Sequence, residues 1–358
     1  MKRRTKGEGS IFWSPTEKRW IGEITLPDGR RKKKRAKDKQ VVQDWIFEQR
    51  KAIKENRPVP DDKMTFGQYA DKYLKEVASY TLKASTKSSY ETMLRVHIVP
   101  EIGRIKLTAI KPQDLQGFYS RKLDSGLSKK SVKYLHAITR RILNEAVKKG
   151  LIYNNPCNQV TPPKIEKKPP KVWTIEQAQT FLSATAEHRW YGIYLIALTT
   201  GARRGEILGM EWENINWQNG TITIDKAVSE IEGHAVITEP KTSYARRTIK
   251  LPEVVLELLS ENKEDEGLIF KSKTGTPITP RNLLRHYHSI LETLDIPKIR
   301  FHDLRHTAAT ILLKQDTHPV LVKELLGHSS ITTTLDVYSH VLPPMKSEVA
   351  DKMDSVFK

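Results

Sequence analysis

The stretch HDLRHTAATILLKQDTHPVLVKELLGHSSITTTLDVYSH, residues 302–340, decides how this chain is read. It opens with His302 and Arg305, passes His328 and closes near Tyr338. Three groups able to hold or protonate a phosphate thus precede a hydroxyl able to attack one. His302 and Arg305 stand three apart and would share one face of a helix. Leu304, Ala308, Ile311 and Leu312 recur at helical spacing and would bury the opposite side. Pro319 to Leu326 predicts a second short helix stopped at Gly327, which leaves His328 just past a helix end. A resumed turn over Leu335 to His340 would present Tyr338.

Upstream, Thr174-Ile-Glu-Gln forms a capping box ahead of Ala178, Phe181 and Leu182. The apolar run from Trp190 to Thr199 leads into Thr200-Gly-Ala-Arg203-Arg204-Gly-Glu206, where two glycines let the backbone turn and set an arginine at the start of a new helix. Asn214 to Ile224 and Val236 to Leu251 alternate like strands, with Gln218-Asn219-Gly220 as a tight turn. Lys241 to Arg247 forms the tip or start of a hairpin; Leu268 to Phe270 reads as a short strand, and Pro252 to Ser260 and Asn282 to Leu294 as helices.

The first half is different in character. Ser10 to Trp13 and Trp20 to Leu26 alternate like strands around a Pro27-Asp28-Gly29 turn. An unbroken cationic run follows, Arg30, Arg31, Lys32, Lys33, Lys34 and Arg35, and then an amphipathic helix through Val41, Val42, Trp45 and Ile46. A small three-stranded sheet with one helix is expected, and a basic strand face of this kind suits a DNA groove. After a proline-rich linker at 57–64, residues 65–160 read as four helices, the second ending at Pro100 and Gly103. The fourth helix backs an apolar stripe with Lys129, Lys130, Lys133 and Arg140. Prolines and lysines at 161–171 mark a second linker, and 172–358 completes the chain.

Composition narrows the partners. Lysine and arginine number 61 against 42 acids, a formal charge of +19, which favours a polyanion. The single Cys157 excludes an intrachain disulfide and fits a reducing compartment. The start, Met1 to Lys6, leads into Gly-Glu-Gly-Ser rather than an apolar run, and no apolar stretch is long enough to cross a bilayer. A cytoplasmic location in a bacterial host, on nucleoid DNA, is expected, with no membrane partner.

Cleaving a phosphodiester needs charge stabilisation at five-coordinate phosphorus, a nucleophile, and a proton for the departing oxygen. Arg203, Lys241, His302, Arg305, His328 and Tyr338 supply each part without metal or cofactor. The carboxylate cluster that a nuclease using His286, His288, His302 and His306 as metal ligands would favour is not evident.

The order of these motifs resembles the tyrosine recombinase family, in particular integrases of temperate phages and conjugative transposons. The resemblance rests on Thr200-Gly-Ala-Arg203-Arg-Gly-Glu206, Lys241, His302-Asp-Leu-Arg305-His306-Thr, Leu326-Gly-His328 and Tyr338. It implies a multidomain α+β protein: an arm-binding domain at 1–56, a four-helix core-binding domain at 65–160, and a mainly helical mixed catalytic domain with a small sheet at 172–358. It implies that Arg203, His302, Arg305 and His328 hold and activate the scissile phosphate, that Lys241 protonates the 5′-oxygen, and that Tyr338 becomes a 3′-phosphotyrosine. Glu206 would support Arg203. Arg204 competes for the place of Arg203, and Lys226 and Lys250 for that of Lys241. The implied activity is site-specific integration and excision of a mobile element, through a Holliday junction. The implied partners are arm-type and core-type sites on double-stranded DNA, a homotetramer, and accessory DNA-bending and directionality factors. A type IB topoisomerase shares the chemistry without a partner site, and a DNA-binding regulator would lack the chemistry. Beyond Pro343-Pro344, an apolar stripe of Val349, Met353 and Val356 or Phe357 would be buried against its own or a neighbouring subunit.

Overall fold

The computed structural model describes residues 8–26, 29, 31–54, 63–166, 170–238, 246–327 and 330. Lys241, His328, Tyr338, Arg30 and the C-terminal stripe lie outside them. The chain divides into two compact units, Met1–Glu166 and Lys167–Lys358.

The first unit begins with an antiparallel sheet of β1 (Ser10–Ser14), β2 (Arg19–Thr25) and β3 (Arg31–Ala36), in that order. Helix α1 (Lys39–Lys54) lies on one face. Gly22 is required there: a Cβ would sit 2.5 Å from Val42 Cγ1. The register pairs Thr25 with Arg31, Glu23 with Lys33 and Ile21 with Arg35. Arg31, Lys33 and Arg35 therefore share the face away from α1, while Lys32 and Lys34 turn to the helix side. The expected continuous cationic face is thus two faces, because strand side chains alternate with period two. Lys33 pairs with Glu23, and Arg35 with Glu17.

Four helical rods follow. Helix α2 (Phe66–Tyr73), capped by Thr65, runs through a π-helical turn at Leu74–Ala78 into α3 (Ser79–Thr81). Helix α4 (Ala84–Met93) likewise runs through a π turn at Leu94–Ile98 into α5 (Val99–Ile102). The second rod thus passes Pro100 and ends at Gly103, the later of the two expected stops. The wide turn has already interrupted the i→i−4 ladder, so the missing proline N–H costs little. Helices α6 (Pro112–Asp124) and α7 (Lys129–Lys148) complete the bundle around Phe66, Tyr69, Tyr73, Leu115, Phe118, Ile138 and Ile142. Lys129, Lys130, Lys133 and Arg140 stand on the exposed side of α7.

The second unit opens with α8 (Ile175–Thr185), α9 (Tyr191–Thr200) and α10 (Arg204–Leu208). Strands β4 (Ile215–Asn216) and β5 (Thr221–Ile224) lead to the hairpin β6 (Ala227–Ile231) and β7 (His234–Thr238), and then β8 (Arg247–Lys250). The sheet order is β4-β5-β8, with β6-β7 a separate pair. Helices α11 (Glu253–Ser260), α12 (Pro280–Thr293), α13 (Asp303–Lys314) and α14 (Pro319–Leu326) follow. The core joins Trp173, Phe181, Tyr194, Tyr287 and Leu304. Two expectations change. Leu268 to Phe270 contributes one isolated bridge, Glu211 to Leu268, rather than a strand. Helix α13 has no solvent-facing arginine side: Leu304, Arg305, Ala308 and Ala309 are all buried, and Ile311 and Leu312 only half-buried. Among the described residues no helix is long and apolar enough to cross a membrane.

Candidate active site

The site forms where α9 ends, α10 begins, and α13 and α14 meet. Thr200 closes α9 by donating to the Ile196 carbonyl at 2.7 Å, and Gly201 then turns left-handed at φ 63°. Any side chain at Gly201 would strike Leu326, whose Cδ2 lies 2.3 Å from the Cβ position. This turn delivers Arg203 to the N-cap of α10. Its backbone N–H donates to Glu206 Oε2 at 2.9 Å, and its Nη1 donates to Glu206 Oε1 at 2.7 Å. Arg204 lies instead in the field of Glu230, on β6.

Arg305 is 3 % exposed. Its Nη1 donates to the Gly201 carbonyl at 2.8 Å and its Nη2 to the Leu326 carbonyl at 2.6 Å. A third guanidinium joins them, one that the sequence analysis did not single out. Arg247, from β8, donates through Nη2 to Glu206 Oε2 at 2.9 Å and through Nε to the Leu325 carbonyl at 3.0 Å. Arg203 Nη2 reaches the next carbonyl but one, Gly327, at 3.2 Å. Three arginines from three segments thus hold three consecutive carbonyls at the C-terminal end of α14, where the helix dipole is negative. The last of these carbonyls belongs to the residue before His328.

The cluster carries more positive than negative charge, which suits an anion. Among the described residues, the Arg203, Arg247 and Arg305 guanidiniums share one buried carboxylate, Glu206. Burial opposes ionisation of Glu206, but the bonds and charge of Arg247 and Arg203 outweigh it and keep its pKa below the ordinary value. Arg305 is strained the other way. Burial, with Arg203 adding repulsion, lowers its pKa to about 9, so it stays a cation at neutral pH in a place that favours a negative ligand.

His302 precedes α13, and its ring meets His306 edge-on with centroids 5.4 Å apart. Asp303 fixes this helix start by accepting from the Arg300 backbone N–H, Nε and Nη2 at 2.9, 2.9 and 2.6 Å. Thr307 donates to the Asp303 carbonyl and accepts from the Trp173 N–H at 3.1 Å, tying α13 to the start of the unit. Loss of solvent on its covered sides, then the charge of His306 and Arg305, push the His302 pKa down to about 4, so the ring is neutral at neutral pH. The unfolded chain takes this proton near 6.5 and the folded one only near 4, so folding weakens as pH falls through that window. With solvent screening on the open side of the ring, the contribution is about 1 kcal/mol. His302→Gln should therefore flatten the loss of melting temperature between pH 6.5 and 4; an unchanged slope would contradict the neutral ring.

Lys226 donates to Glu211 Oε2 at 2.6 Å, a bond that raises its pKa and occupies it. Lys250 is exposed on β8. His286 stacks on His188 at 3.7 Å and bonds the Tyr194 hydroxyl.

The fold brings three guanidiniums and one carboxylate together at the junction of α9, α10, α13 and α14. The pattern of the phage integrase family matches residues 171–344, and that of the phage integrase N-terminal SAM-like domain matches residues 65–123. The chain belongs to the tyrosine recombinase family and is a tyrosine-type site-specific recombinase. It is similar to the tyrosine recombinase XerC-like protein of Caldanaerobacter subterraneus subsp. tengcongensis, 28 % identical with 82 % of this chain and 84 % of that one covered. It is also similar to the ICEBs1 integrase of Bacillus subtilis, 28 % identical over 74 % of this chain and 76 % of that one. In three dimensions it resembles the Tn1549 transposon integrase in complex with a circular intermediate DNA, with TM-score 0.69 and 22 % identity over 82 % of this chain and all of that one.

Proposed function

We propose that this chain integrates and excises a mobile DNA element by cutting and rejoining DNA through a 3′-phosphotyrosine. The observation that carries this reading is the buried Arg305 beside Arg203, both held to the α14 end and sharing one carboxylate. The scissile phosphate takes the remaining guanidinium donors of Arg203 and Arg305, and His328 donates to a non-bridging oxygen. The Tyr338 phenol attacks phosphorus in line. The neutral His302 takes the phenolic proton, the P–O5′ bond breaks, and Lys241 protonates the departing 5′-oxygen. The 5′-hydroxyl of a partner strand then attacks the phosphotyrosine and returns the phenol. Bond energy is kept, so rejoining needs no external energy source. The division of labour across the chain follows the family: residues 1–56 for arm-type sites, 65–160 for core-type sites and 172–358 for chemistry, with a tetramer on paired sites and accessory factors setting direction.

On a plasmid carrying the element junction and its target, recombinant product should form in EDTA. Product that requires magnesium would overturn the reading in favour of a metal nuclease, and relaxation of a plasmid lacking the sites would favour a topoisomerase. The N-terminal sheet carries its own expectation. Its free face offers Arg31, Lys33 and Arg35, two of them partly neutralised by Glu23 and Glu17. Replacing all three with alanine should weaken arm-site binding and flatten the slope of log K against log salt by about 2 to 3. Replacing Lys32 and Lys34 should change the slope less; equal effects would contradict the face assignment.

A further inference from the structure

We propose that Arg247 is a positioning residue for the phosphate seat, acting through Glu206 and the end of α14. The inference rests on the phosphotyrosine reading of the site. In this role Arg247 need not touch DNA: its Nη2 and Nε bond Glu206 and the Leu325 carbonyl. What it touches are the supports of groups that would. It takes Glu206 Oε2, the oxygen that also accepts the Arg203 backbone N–H, and so fixes the carboxylate whose other oxygen holds Arg203 Nη1. Its Nε holds the Leu325 carbonyl, two residues before Gly327, and its side chain lies against Gly327 itself, with Cδ 3.0 Å from the Cβ position. Gly327 ends α14 in the left-handed conformation at φ 65° and is followed directly by His328.

The chain connection adds a third link. Arg247 begins β8, six residues after Lys241, and pairs there with Ile224 of β5. One planar fork therefore joins the sheet, the α10 start and the α14 end. A lysine preserves the charge but cannot reproduce two bonds in fixed directions.

The test compares wild type, Arg247→Ala and Arg247→Lys on nicked DNA sites with either a normal scissile phosphodiester or a methylphosphonate at the same position. The methylphosphonate carries one negative charge fewer, so its cleavage leans less on well-placed guanidiniums. Both variants should cleave the phosphodiester roughly 10- to 100-fold more slowly, with DNA binding kept. On the methylphosphonate the loss should be less than about threefold. Equal losses on both substrates, in step with the folded fraction read from melting curves, would assign Arg247 a merely structural role and overturn the proposal. Wild-type rates for Arg247→Lys would overturn it too. If wild type itself forms no covalent adduct on the phosphodiester, it is the phosphotyrosine reading that fails.

Discussion

Replacing Arg305 with methionine should abolish DNA cleavage, by about 10³-fold or more, while moving the melting temperature of the catalytic unit by less than about 5 °C. The two halves of that expectation have separate causes. Cleavage falls because the guanidinium that meets charge developing on phosphorus is gone. Stability barely moves because two effects offset. The carbonyls of Gly201 and Leu326 lose their donor, at about 1–3 kcal/mol each. Against this, a buried cation held at a pKa of about 9 by burial and by Arg203 is removed, a relief of up to about 5 kcal/mol. Sulfate separates the two further. It should raise the melting temperature of the wild type by occupying the seat and leave the variant unmoved. A variant that melts far below wild type would show that Arg305 is held for packing rather than for charge.

Glu206→Gln is the opposite case and has the second large effect. The carboxylate receives Arg203 twice and Arg247 once, and all three bonds are 2.7–2.9 Å. An amide can accept at one end only and presents N–H groups to a guanidinium at the other. Three cations then share no anion among the described residues. The loss should be about 3–5 kcal/mol, with cleavage lost alongside it. The pH dependence has a definite sign. The folded pKa of Glu206 is lowered, so its contribution is complete above the unfolded value of 4.5 and disappears as pH falls through the folded one. The variant should thus be closest to wild type in acid and furthest from it at neutral pH. A constant difference across pH would contradict the ion-pair account.

These paired responses also mark what could be read from the chain alone. Helices with an apolar stripe, such as α7, and the turns at Gly201 and Gly327 were legible because helical spacing and glycine chemistry are local. Arg203, Arg305 and Glu206 could be singled out by type and order. That Arg305 is buried, with carbonyls from two segments on its guanidinium, could not, since those carbonyls lie 104 and 21 residues away. Arg247 left a signal that went unread. Ile222, Ile224 and Ile249 alternate toward the core, and Arg247 is in phase with Ile249, so a cation was pointed inward. The same period-two rule splits Arg31 to Arg35 between two faces. The π turn that carries α4 into α5 ahead of Pro100 has no comparable sequence mark.

The central claim is that the phenol of Tyr338 becomes covalently joined to DNA. A nicked core site, which lets the short fragment bearing the new 5′-hydroxyl diffuse away after cleavage, traps that intermediate. Wild type should give a denaturation-resistant adduct, with the 3′-phosphate mapped by peptide sequencing to Tyr338, and Tyr338→Phe should give none. An adduct of undiminished yield from Tyr338→Phe, or one mapped to another side chain, would contradict the account.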